Sequence, residues 1–198
     1  RYRARLRYSE SRLHPIDSPH QSHYTPHAAS IAVSEAVNPV VRSRSDMSAK
    51  PEYVDLLNEI RLQENRAGVY LEAWAKKTTN NDLKECLSFV ATREYSHGDI
   101  FDRRVKELGF ATQEIEDPEF GEKVRVVTSD ISDAEKIAWL KEQRSRMPSP
   151  SVRERYEAAT VDESVDPLTR SLLRWFTDVE DDSVVRMGKV YAEIENTG

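Results

Sequence analysis

The sequence predicts an all-α protein: an antiparallel four-helix bundle over residues 51–198, preceded by a disordered basic arm over residues 1–50. Two observations carry that expectation. Apolar residues recur every three or four positions through several long stretches after Pro51, which is the spacing of one helical face. The composition also changes sign near Lys50. The first 50 residues hold eight Lys/Arg against four Asp/Glu, four of the nine Pro, four of the five His and no Gly, whereas the remaining 148 carry 21 basic and 31 acidic residues.

The whole chain has 198 residues, 38% hydrophobic and 32% charged, with a formal charge of −6. That length suits one ordinary domain. Its apolar content falls short of the roughly 45–50% usual for globular chains, and the deficit is assigned to the arm. There, His14-Pro15, Ser18-Pro19, Thr25-Pro26 and Asn38-Pro39 push the preceding residues out of the helical region. A basic, Arg- and Ser-containing, acid-poor segment also has the composition of an organelle transit peptide. Cys86 is the single cysteine, which excludes a disulfide framework or a thiolate zinc cluster within the chain and fits a reducing compartment. A cytoplasmic location is expected, with an organelle as the alternative if the arm is a transit peptide. No run of 18 apolar residues exists, so no membrane span is expected, and the acidic body argues against nucleic acid as a partner.

In chain order, Pro51 suits a first helical turn. The stripe Leu57, Ile60, Ala67, Leu71 and Trp74 then marks a helix from about Glu52 to Lys77, provided that position 64 belongs to it. The polar break over residues 78–82 supplies N-cap residues for a second helix through Leu83, Leu87, Val90, Phe101, Val105 and Leu108, ended by Gly109. The two form a hairpin with a short loop. Residues 110–128 read as acidic loop around Asp117-Pro118, with a short strand or extended piece over residues 123–127. Ser132 or Asp133 caps a third helix through Ala134, Ile137, Ala138 and Leu140 to about Arg146, which Pro148 and Pro150 stop. A short helical piece follows from Val152 to Ala159. Asp166-Pro167 opens a fourth long helix striped by Leu173, Phe176, Val184, Met187, Tyr191 and Ile194, with Glu180 filling the gap between Phe176 and Val184.

Polar residues interrupt these stripes at chemically informative places. Glu64 stands where the first helix needs an apolar residue, and Glu94 and His97 fill the steps between Val90 and Phe101. Interior carboxylates are costly unless paired, protonated or bound to metal. Glu and His three residues apart lie on one side of a helix and reach a single ion together. Two readings stay open: a metal site, or a buried hydrogen-bonded network of the two Glu and the His, which is the only histidine after residue 50. Trp74, Trp139, Trp175 and Tyr191 read as core or subunit-contact residues, and Cys86 as a small buried apolar one. The folded part holds no glycine-rich phosphate loop and no Ser/His/Asp set.

The run Glu64-Asn65-Arg66-Ala67-Gly68-Val69-Tyr70, followed by Arg93-Glu94-Tyr95-Ser96-His97 and the ending Val105-Lys106-Glu107-Leu108-Gly109, resembles the first helix pair of ferritin-like proteins, rubrerythrins especially. About 60 residues carry the resemblance. It implies an iron-binding protein, with Glu64 and Glu94 as bridging or terminal carboxylates and His97 as the imidazole ligand of one iron. It further implies oxidoreductase activity, either ferrous oxidation or peroxide reduction. The second half departs from that pattern. A second E-x-x-H would be needed on the last helix, and the best match is Glu180-Asp181-Asp182-Ser183, with Ser where His is expected. Glu180 is the remaining metal candidate. Asp181 or Asp182 would substitute as oxygen ligands only if the acidic cluster is not simply a solvated face, and the third-helix ligand, among Glu135, Glu142 and Glu154, is out of place. One or two iron ions are thus implied. No Cys-x-x-Cys pair is present, so turnover needs an external electron donor, and a homodimer is a way to join two half-sites. The alternative is a metal-free helical scaffold or interaction protein with a vestigial site.

Overall fold

A computed structural model describes residues 50–146 and 149–197. Apart from Lys50, the expected arm lies outside the described residues, as does Pro148. Among the described residues there are six α-helices and no strand: α1 (Glu52–Lys77), α2 (Asn81–Glu107), α3 (Pro118–Thr128), α4 (Asp133–Ser145), α5 (Val152–Ala159) and α6 (Pro167–Thr197). No helix of the described residues is long and apolar enough to cross a membrane.

Local chemistry accounts for the boundaries. The Asn80 side chain accepts from the Leu83 amide at 2.9 Å and starts α2, one donor of the four that a helix start leaves unpaired. Gly109 ends α2 at φ 86°. There the Gly109 amide donates to the Lys106 carbonyl and the Phe110 amide to the Val105 carbonyl, which is the Schellman arrangement, and Phe110 packs back on the cluster that contains Val105. Ser132 and Ser151 each form a capping box, with Glu135 and Glu154. Asp166 Oδ1 accepts from the amides of Leu168 and Thr169 at the start of α6 and from Arg104 Nη2 of α2 at 2.8 Å. Burial alone would raise the Asp166 carboxyl, but the bonds from Thr169 and Arg104 outweigh it and hold it at about 2.

The strand or extended piece expected over residues 123–127 is instead part of helix α3. Asp117 accepts from the Glu119 amide at 3.0 Å with Pro118 behind it, a strong helix start. Val126 and Val127 are both buried, Val127 within the cluster of Leu71, Trp74 and Ile137. Burial on one helical face overrides the β preference of the valines, which have no neighbouring strand to pair with. The inward face of α6 also differs from the expected stripe. Val184 is 37% exposed and Ser183 is buried in its place, because the helix turns Ser183, not Val184, onto the face shared by Phe176 and Glu180.

α1 and α2 fold back as a hairpin, with Gly68 against the Tyr95 ring and Gly98 against the Asn65 side chain. A Cβ on Gly98 would collide with Asn65 Oδ1, so these two glycines allow the close approach. The apolar interior forms two clusters. One joins Leu57, Ile60, Phe101, Val105, Tyr156, Leu173 and Phe176, among others; the other joins Leu71, Trp74, Leu83, Leu87, Val90, Val127 and Ile137, among others. Trp74 Nε1 donates to Asp133 Oδ1 at 2.7 Å, tying α1 to α4. The buried Asn58 clamps the connection after α2: its Nδ2 donates to the Gln113 carbonyl, and its Oδ1 accepts the Gln113 amide, both at 2.9 Å.

Candidate metal centre

The gap between the two apolar clusters is filled by the four polar residues singled out in the sequence. Glu64 follows Ile60 by four positions on α1, Glu94 and His97 separate Val90 from Phe101 on α2, and Glu180 follows Phe176 by four on α6. Each therefore points inward by the same helical repeat that buries its apolar neighbours. One ligand-type atom from each of Glu64, Glu94, His97 and Glu180 lies within 4.8 Å of all the others. His97 Nδ1 is 3.0 Å from Glu64 Oε2 and 3.3 Å from Glu180 Oε1. The side chains of His97 and Glu64 are only 2% and 10% exposed, and that of Glu180 18%.

His97 is held in place by aromatic edges. Its ring meets Trp175 at 5.4 Å and Phe176 at 5.1 Å between centroids, both nearly perpendicular. Tyr156 of α5 lies behind Phe176 at 5.0 Å. The sequence marked Phe176 as core and Trp175 as core or contact, and it passed over Tyr156, because the eight residues of α5 are too few for a periodic signal. Trp175 is 43% exposed, so one wall of the imidazole borders solvent.

The electrostatics are unfavourable for three free carboxylates. Burial pushes the Glu64 carboxyl well above the usual carboxylate range, and the Glu180 charge adds to this, against a hydrogen bond with Glu94 that lowers it. Burial likewise raises Glu94, helped by the charges of Glu64 and Glu180. Tyr70, beside the same carboxylates, is raised by burial first and by their charges second. A group that holds three acids this close must take up protons or a cation.

Hydrogen bonding leaves one atom without a partner. A neutral imidazole carries one N–H, and the shorter contact of His97 Nδ1 is with Glu64 Oε2, at 3.0 Å, against 3.3 Å to Glu180 Oε1. Among the described residues, Glu180 Oε1 is the buried side-chain atom without a hydrogen-bond partner. An orphaned buried oxygen next to an imidazole and two more carboxylates is a donor set that fits a divalent cation.

Comparisons with family models, with curated proteins and with solved structures found no match for the chain. The remaining acidic residues weighed in the sequence are engaged elsewhere. Glu135 and Glu154 cap their helices, Glu142 pairs with Arg146, and Asp181 pairs with Arg153. Asp182 accepts from Arg93 Nη1 at 2.6 Å, and the same nitrogen reaches the buried Ser183 Oγ at 3.1 Å. Cys86 is buried as expected.

Proposed function

We propose that the chain is a ferritin-like helical bundle that binds iron through Glu64, Glu94, His97 and Glu180. What carries the reading is the orphaned Glu180 Oε1, buried 3.3 Å from His97 Nδ1 inside a four-residue group of metal-ligand chemistry. The bundle is supported by the α1/α2 hairpin and by a polar layer that α1, α2 and α6 supply between two apolar clusters. Three carboxylates are hard donors and the imidazole is a borderline one, a set that suits ferrous ion and whose carboxylates stabilise its ferric product.

Bound iron would supply one-electron oxidation by oxygen or peroxide. The chain's own part is to orient the donors and to limit water. Phe176 and Trp175 fix the imidazole plane, Glu64 accepts from or ligates beside it, and the two apolar clusters close the layer above and below. Glu180, the most exposed of the four, is the side from which an ion enters. Repeated turnover requires an external reductant.

The 3.0 Å contact between His97 and Glu64 favours a second reading, a metal-free scaffold in which these residues form a buried polar network. Loading the full chain with ferrous iron without oxygen separates the two, with bound iron measured for the parent, His97→Ala and Glu180→Gln. Four histidines lie in the first 50 residues, so the informative quantity is the iron lost on mutation. Loss of bound iron in both variants is expected; equal iron in all three contradicts the proposal and leaves the polar network.

A further inference from the structure

The ferritin-like pattern implies one or two ions, and the geometry points to one: we propose that the centre is mononuclear, a single divalent cation ringed by Glu64, Glu94, His97 and Glu180. This rests on the metal reading above and narrows it.

First-row ions bind carboxylate and imidazole at about 2.0–2.2 Å, so ligand atoms on opposite sides of one ion lie roughly 4.0–4.4 Å apart. The four ligand atoms lie within 4.8 Å of one another, which small side-chain rotations close. One donor atom from each of the four residues thus surrounds a single ion, whereas a second ion, about 3.5–4 Å from the first, needs donors of its own.

His97 is the sole histidine after residue 50, so a second ion in this layer has no imidazole and only oxygen donors, the carboxylates and the Tyr70 phenol beside them. The next acids along α6 face solvent: the side chains of Asp181, paired with Arg153, and Asp182, paired with Arg93, are 58% and 53% exposed. One turn past Glu180, Ser183 is buried and accepts from the Arg93 guanidinium. A fixed cation therefore occupies the layer where another metal would need its ligand, and like charge opposes a metal there. On the other side of the group stand Phe176 and Phe101, edge-on to each other at 5.0 Å, and these two rings offer no donor atom.

One ferrous ion gives up one electron, whereas reducing hydrogen peroxide to two waters takes two electrons and two protons. The mononuclear centre thus suits one-electron ferrous oxidation, and any peroxide reduction draws its second electron from an external donor.

The test uses the full chain, with manganese(II) and ferrous iron as separate probes under anaerobic conditions. Native mass spectrometry counts ions per chain for the parent and for a Glu94→Gln/His97→Ala variant, so that ions held by the histidines of residues 1–50 cancel. Electron paramagnetic resonance of the manganese form reads coupling directly, whether or not the variant folds. A difference of one ion per chain, with the six-line spectrum of an isolated manganese, is expected. A difference of two ions, or the spectrum of a spin-coupled pair, overturns the single-ion centre and leaves the metal reading standing. A difference of zero together with no bound-manganese signal overturns both.

Discussion

The α1/α2 hairpin and α6 contribute to the same four-residue layer by different physical means. In the hairpin, Gly68 lies under the Tyr95 ring and Gly98 under Asn65, so backbone proximity sets where Glu64, Glu94 and His97 stand. α6 has no such interlock with α1: no Cα of α1 comes within 8 Å of a Cα of α6, and Glu180 crosses that gap as a side chain. α6 also leaves Leu168, Trp175 and Val185 exposed. Three donors are preorganised by the packing of one hairpin, and the fourth depends on how a separate helix docks. The least satisfied atom of the layer, Glu180 Oε1, sits on the less constrained side, where a bound cation has the most to contribute.

Substitutions break or sharpen that contrast. The largest effect is expected from Trp74→Ala, which empties a fully buried site of the hairpin and removes the bond to Asp133. A loss of about 3–5 kcal/mol is expected for a large aromatic, read from chemical denaturation. Gly68→Ala comes second. Its Cβ would meet Tyr95 ring carbons at 2.7 and 2.8 Å, and overpacking of this kind costs about 1–3 kcal/mol. Weakened metal binding should accompany it, because the helices carrying three donors are forced apart. An unchanged metal affinity in Gly68→Ala would show that the interlock does not position the donors.

The pH dependence of the metal-free protein follows in size. Folding raises the Glu64 and Glu94 carboxyls above their ordinary value near 4.5, first through burial. Groups raised in this way contribute stability that is complete below the unfolded value and lost as pH rises through the folded one. With a chelator present, the urea midpoint should therefore fall as pH rises from about 5 towards 8, and saturating metal should flatten the slope. A chelated protein whose midpoint rises over that range would show that the acids are not buried as described. The smallest effect belongs to α6. A Cβ at Gly188 meets nothing within 4 Å, so Gly188→Ala should stabilise by about 0.5–1 kcal/mol through helix propensity. The same chemical change thus has opposite signs in the two regions, and thermal unfolding of the two alanine variants side by side reads this.

Much of this contrast was legible in the sequence where one helical face repeats for several turns. The bounds of α1 and α5, the caps of α2 and α4, and the inward placement of Glu64, Glu94, His97 and Glu180 all follow from spacing and turn chemistry. Legibility failed where long-range partners decide. The valines of α3 favour a strand until the Trp74 cluster buries one helical face of them. Ser183 rather than Val184 turns inward, where Arg93 of another helix reaches the hydroxyl. Asn58 looks like a surface polar residue until the Gln113 backbone closes on it, and Tyr156 belongs to a helix too short to show a stripe.

Anomalous diffraction from crystals of the full chain soaked anaerobically in ferrous iron addresses the metal centre most directly. One peak at the iron edge is expected among Glu64, Glu94, His97 and Glu180, at bonding distance from both Glu180 Oε1 and an imidazole nitrogen of His97. Density showing no peak there, with His97 still hydrogen-bonded to Glu64 and a proton shared among the acids, would contradict it.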